Sequence, residues 1–146
     1  MTLADGTLQV LLVDDEPRVT AGLARALRSL RPRWKLRAVD SGAAALAKLA
    51  EVALDVVVTD LRMPGMSGSE LIREVELRHP LVVRIMLSGV VDPSLVAQAQ
   101  GWSQRYLFKP CPPERLVDEI TAAVAMRESQ QAMERAARCP PTTPGS

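Results

Sequence analysis

The sequence predicts an α/β protein: a doubly wound, parallel, five-stranded sheet built from five β-α repeats. Three observations predict it. Five short apolar runs recur along the chain, each stopped by a polar or turn residue. Amphipathic helical patterns lie between them. Three of the runs are continuously apolar in character, as strands covered on both faces must be.

The first run is Leu8–Val13, stopped by Asp14-Asp15. The second, Lys35–Val39, is weaker and leads into Asp40-Ser41-Gly42, a turn and cap. The third is Asp55–Thr59, stopped by Asp60. The fourth is Val82–Leu87, stopped by Ser88-Gly89, and the fifth is Tyr106–Phe108, stopped by Lys109-Pro110. Their length and β-branched content favour strands over helices. Runs one, three and four are the continuously apolar ones.

Between the runs, Pro17–Leu30 places Val19, Leu23, Ala26, Leu27 and Leu30 on one helical stripe. Ala43–Val52 is rich in Ala and Leu, behind a cap at Ser41. Ser67 and Glu70 have the spacing of a capping box before Leu71, Ile72 and Val75. Pro93–Gln100 is a shorter helical pattern. Pro113 suits a first helical position, followed by Leu116, Val117, Ile120, Ala123 and Val124 on one face. Met126–Arg138 reads as a polar continuation of that helix, and Cys139–Ser146 as a disordered tail. The expected division is one domain over 1–125, then a polar helical extension and tail or linker over 126–146.

Composition excludes several functions. The 146 residues carry 18 Lys plus Arg against 17 Asp plus Glu, so no large one-signed field attracts nucleic acid in bulk. Four aromatic residues do not make a base-stacking surface. One His, and two cysteines (Cys111 and Cys139) outside any metal spacing, exclude Cys/His zinc chemistry. No apolar run is long enough for a membrane span, and Met1–Gln9 lacks the pattern of a secretory signal. A cytoplasmic protein that binds neither membrane nor, through this segment, nucleic acid is expected.

In parallel sheets of this kind ligands bind at the carboxyl ends of the strands. The residues there are Asp14, Asp15, Asp60, Ser88 and Lys109. Singly, each has an ordinary reading. Asp14-Asp15-Glu16 suits a helix start, Asp60 a loop, Ser88-Gly89 a turn, Lys109 a solvated cation and Tyr106 a half-buried strand aromatic. Jointly they place three carboxylates, a hydroxyl and an ammonium together. Crowded carboxylates repel unless a divalent cation or lysine offsets them, and an oxygen-rich set suits Mg²⁺. A carboxylate beside Mg²⁺ and Lys is equipped to attack a phosphoryl group.

These residues carry a family resemblance. LLVDDEP (Leu11–Pro17), VVVTDLRMPGMSG (Val56–Gly68), MLSG (Met86–Gly89) and YLFKP (Tyr106–Pro110) resemble the receiver domains of bacterial two-component response regulators, from about Leu8 to Val124. The resemblance implies a flavodoxin-like (βα)5 fold with strand order 2-1-3-4-5. It implies that Asp60 is the phosphoacceptor, taking its phosphoryl group from a sensor histidine kinase or phosphotransfer protein. Asp15 and Asp14 would hold Mg²⁺ with Asp60 and the Arg62 backbone carbonyl. Lys109 would pair with a phosphoryl oxygen and precede a cis proline. Ser88 would bond the phosphoryl group, and Tyr106 would turn inward with it.

The resemblance also implies kinase docking near Pro17, Thr20, Ala21 and Pro110–Pro113. Altered contacts would appear on the face formed by the fourth helix, the fifth strand and the fifth helix, which also serves as a homodimer face in the family. Such a domain catalyses its own phosphorylation and dephosphorylation and turns over no external substrate. The stretches LRMPGMSG, LSG and YLFKPC resemble receivers that precede HD-type outputs, so a covalently linked output domain is an expectation. Two departures stand out. The switch hydroxyl is Ser88 rather than the commoner Thr, and Arg62, two residues past Asp60, brings a long cation whose effect on dephosphorylation the sequence leaves open. Two other readings compete: a phosphorylation-independent receiver-like binding module, and an aspartyl-phosphate phosphatase. The phosphatase would need an acid where Arg62 stands.

Overall fold

The computed structural model describes residues 6–89, 93, 94, 97 and 105–138. Strands β1 (Gln9–Val13), β2 (Lys35–Val39), β3 (Val56–Thr59), β4 (Val83–Ser88) and β5 (Arg105–Phe108) form one sheet in the order β2-β1-β3-β4-β5. Every pairing is parallel, with Val10 opposite both Leu36 and Val56, and Ile85 opposite Arg105. Helices α1 (Pro17–Leu30), α2 (Gly42–Glu51) and α3 (Gly68–Arg78) and a C-terminal helix, Pro113–Arg138, complete the described elements. The expected helix at Pro93–Gln100 falls largely on residues outside the described ones, as does the tail Cys139–Ser146.

Strand alternation divides the core into two layers. Val10, Leu12, Val56, Val58, Val83 and Ile85 pack against Leu27 of α1 and Leu116 and Ile120 of the C-terminal helix. Leu11, Val13 and Val57 point the other way, against Ala45 and Leu49 of α2 and Leu71 and Val75 of α3. Each fully buried Leu or Ile contributes roughly 1.5–3 kcal/mol relative to an exposed one, so both layers hold the sheet. A parallel sheet covered on both sides opens only at its ends, and its strands all end in the same direction. The residues that follow them therefore meet.

The helix starts follow from local chemistry. Ser41 Oγ accepts from the Ala44 N–H at 3.1 Å. At α3 the capping box forms in full: Glu70 N–H donates to Ser67 Oγ (3.2 Å) and Ser67 N–H to Glu70 Oε1 (2.9 Å). Pro17 opens α1 and Pro113 opens the C-terminal helix, positions that need no amide donor.

Two details differ from the sequence reading. Val19 is 39% exposed, and the buried stripe of α1 is Thr20, Ala24 and Leu27. The first turn of α1 stands at the carboxyl end of the strands, where the sheet offers little surface to cover Val19. The fourth strand is not apolar throughout: Arg84 is only 8% exposed. It bends back to donate to the carbonyls of Pro80 (3.2 Å) and Val82 (3.0 Å), satisfying the guanidinium inside the protein. Burial pushes its pKa down, and Glu76 opposes that shift. No helix among the described residues is long and apolar enough to cross a membrane.

Candidate functional site

The site forms at the carboxyl end of the central strands. Asp14 follows β1; its amide donates to Val39 O (3.3 Å), while its Oδ1 accepts from Glu16 N–H (3.0 Å). Asp60 follows β3, and its amide donates to Val13 O at 3.1 Å. These ladder bonds hold both residues at the point where pairing stops. One carboxylate oxygen each from Asp14, Asp15 and Asp60 lies within 4.8 Å of the others. Asp14 is buried, Asp60 half-buried and Asp15 exposed.

Lys109 reaches in from the end of β5. Its Nζ lies 3.3 Å from Asp14 Oδ2 and 3.7 Å from Asp60 Oδ2. Its backbone amide donates to Ser88 O (2.8 Å), which locks the end of β5 to the end of β4. The Lys109-Pro110 peptide bond is cis.

One ammonium, in reach of Asp14 and Asp60, serves a group of three carboxylates. At an effective dielectric of about 20, two charges at such a spacing repel by roughly 3 kcal/mol, so the cluster is under-compensated. Burial pushes the Asp60 pKa up; Lys109 and the Leu61 N–H oppose this, while Asp14 and Asp15 reinforce it. The chemistry of the donor set fits a hard divalent cation: three carboxylates meet, with no sulfur or imidazole ligand in the group.

The two oxygens of Asp60 are inequivalent. Oδ1 accepts from the Leu61 N–H at 2.8 Å, whereas Oδ2 faces Lys109. The loop beneath is drawn tight: Gly68 N–H donates to Leu61 O at 2.7 Å. A Cβ on Gly68 would lie 1.9 Å from Asp60 O, so only glycine fits there. Gly65, at φ +77°, makes the preceding turn. Thr59 Oγ1 also donates to Asp60 O (3.0 Å). The sequence reading missed Gly68 and Thr59 as supports of Asp60. Gly68 stands in the sequence only within a capping box and at the end of the motif VVVTDLRMPGMSG, because its proximity to Asp60 depends on how the loop folds back.

Ser88 ends β4 and is 1% exposed. Tyr106 is half-buried against Leu61, Ile72 and Met86. Its ring lies 5.1 Å from that of Phe108, tilted by 54°. Leu61 directly follows Asp60, so the Tyr106 ring and Asp60 share a neighbour. Arg62 lies on the same loop with its side chain exposed. Asp14, Asp15, Asp60 and Lys109 are thus brought together, with Ser88 joined to them through the Lys109 backbone.

Known proteins resemble this chain in sequence and fold. A family model of the response regulator receiver domain matches residues 10–121. The hydrogenase transcriptional regulatory protein HoxA of Cupriavidus necator is 33% identical over 91% of this chain and 27% of its own length. The DNA-binding transcriptional regulator NtrC of Escherichia coli is 32% identical over 84% of this chain and 26% of its own. The chain thus spans about a quarter of the length of these curated relatives. The signal receiver domain of an HD domain-containing protein from Pseudomonas fluorescens Pf-5 superposes with a TM-score of 0.79 at 28% identity, covering 86% of this chain and 92% of that one. Fold, strand order and sequence agree, and the chain belongs to the response regulator receiver domain family.

Proposed function

We propose that this receiver accepts a phosphoryl group on Asp60 from the phosphohistidine of a sensor kinase or phosphotransfer protein, in a Mg²⁺-dependent reaction. The observation that carries the reading is the under-compensated cluster: three carboxylates within 4.8 Å, two of which, Asp14 and Asp60, face a single ammonium, Lys109. Asp60 Oδ2 attacks phosphorus because Oδ1 is held by the Leu61 amide. The P–N bond to the donor imidazole breaks as the O–P bond forms, and the imidazole nitrogen keeps the bonding pair. Lys109 Nζ offsets charge on a transferring phosphoryl oxygen. Asp14, Asp15, Asp60 and the Arg62 carbonyl would hold the ion, which supplies further charge neutralisation when bound.

Ser88 then donates to a phosphoryl oxygen, a charge-assisted bond strong enough to draw its loop toward Asp60. The Tyr106 ring follows into the vacated space, and the face around β5 and the C-terminal helix changes. That face serves a downstream partner or a second copy. The domain acts on itself and releases no product of an external substrate. The relatives named above are transcriptional regulators and an HD-domain protein, which supports a covalently linked output and a cytoplasmic setting.

Intact-mass measurement after acetyl phosphate treatment tests the reading. The expected result is a Mg²⁺-dependent gain of one phosphoryl group in the wild type and none in Asp60→Asn. Labelling that persists in the variant, or never occurs in the wild type, would overturn it.

A further inference from the structure

Charge is unevenly distributed along this chain. Between Pro17 and Val39 there are seven cations, from Arg18 to Arg37, and no acid. The rest of the chain carries eleven cations against seventeen acids. This segment folds as α1 and β2, so the cations gather at one edge of the molecule, around a strand that pairs on one side only among the described residues.

The cations lie on both sides of that edge. Arg25 is exposed on α1, and Arg28 reaches from the same helix to donate to Leu36 O on β2 at 3.3 Å. Lys35 and Arg37 alternate with Leu36, whose side chain packs into the α1 layer, so they face the other side. Arg37 donates there to Gln9 Oε1. The ion pairs of the described residues lie elsewhere, on α2, α3, β5, the acidic site and the C-terminal helix. Arg25, Arg28, Arg31, Lys35 and Arg37 meet no carboxylate among the described residues.

A plain role accounts for part of this. Charged side chains on an edge strand deter pairing with another chain, and Arg28 covers the Leu36 carbonyl. One or two charges suffice for that. Of the seven, the five that meet no carboxylate among the described residues repel one another and are most simply retained for an external anion. Six of the seven are arginines, whose planar fork pairs bidentately with carboxylates.

We propose that the α1–β2 edge binds an acidic, flexible segment of a partner protein. A rigid duplex lies against one side of such an edge, whereas a flexible chain reaches both. Nor does this edge offer a ring for base stacking, since Trp34 is buried. The surface is separate from the phosphoacceptor cluster, so the proposal does not rest on the assignment of Asp60.

The test is an anisotropy titration of the full chain with a labelled peptide of alternating Glu and Asp, at low and high salt. Binding at low salt that weakens as salt rises is expected. The double variant Arg25→Glu, Lys35→Glu should weaken it about tenfold or more, because it reverses one charge on each side. Arg28 and Arg31 stay in place because they hold backbone carbonyls. The control Arg135→Glu, on the C-terminal helix, should leave binding unchanged, and both variants should melt as the wild type does. No binding at low salt, an equal loss in the control, or tighter binding of a duplex DNA of matched charge would overturn the proposal.

Discussion

The two ends of the sheet use similar residues to opposite effect. At the amino end Asp55 precedes β3, and its Oδ2 accepts from the Gln9 N–H at 2.9 Å. Arg127 of the C-terminal helix, only 12% exposed, donates to Asp55 O (3.2 Å) and Leu81 O (3.3 Å) and lies 3.6 Å from Asp55 Oδ1. One guanidinium meets the Asp55 carboxylate, that of Glu128 at 3.8 Å, and two carbonyls from the ends of β3 and β4. At the carboxyl end one ammonium meets Asp14 and Asp60, and the Asp15 carboxylate crowds in beside them. The amino end is a tie that holds the last helix to the sheet; the carboxyl end crowds three carboxylates around one ammonium. The carbonyls that Arg127 also holds, rather than residue type, separate the amino-end tie from the carboxyl-end cluster of acids.

Four experiments would break or sharpen that contrast. The largest effect is expected at Gly68, where a methyl group meets backbone rather than a yielding side chain. Gly68→Ala should cost about 3 kcal/mol in urea unfolding and disturb the loop under Asp60. A near-neutral result would mean the loop beneath the acidic cluster is free to move.

Cutting the amino-end tie comes next. Arg127→Ala removes charge-assisted bonds and should cost about 2 kcal/mol, while acetyl phosphate labelling continues. Loss of labelling in a folded variant would show that the two ends are not separable. Third, Mg²⁺ at tenfold its dissociation constant should stabilise the wild type by about 1.4 kcal/mol, read as a rise in melting temperature. Asp15→Asn should abolish most of that rise and leave the metal-free melting little changed.

The smallest effect is a gain. Burial and the neighbouring carboxylates raise the Asp60 pKa, so the fold disfavours its ionised form. Near neutral pH without metal, Asp60→Asn should therefore stabilise the protein, by roughly 1 kcal/mol or less given the partial exposure and the Lys109 contact. Destabilisation instead would make the Lys109–Asp60 pair a net structural bond, like the one at the other end.

The strand ends were the most legible part of the sequence. Each strand is short and ends at a polar residue, so the sequence marks Asp14, Asp60, Ser88 and Lys109 as neighbours. Parallel topology alone brings strand ends together, and this is why the inference succeeds. Caps were legible too, because Ser41 and the Ser67–Glu70 pair act within one helical turn. Val19 was misplaced because helical periodicity identifies a stripe but not where the sheet beneath it stops. Arg84 was absorbed into an apolar run because its satisfaction comes from carbonyls that curl back on it.

By itself, then, the sequence determined the order of elements, their starts, and which polar residues stand at the strand ends, since those depend on local periodicity and hydrogen bonding. Only the tertiary structure decided that Asp60 turns one oxygen to the Leu61 amide and the other toward Lys109, that Gly68 must lack a side chain, that Arg127 ties the last helix to β3 and β4, and that the cations of α1 and β2 lie on both sides of one edge. Each depends on distances between segments far apart in the chain, and those are set by packing rather than by local propensity.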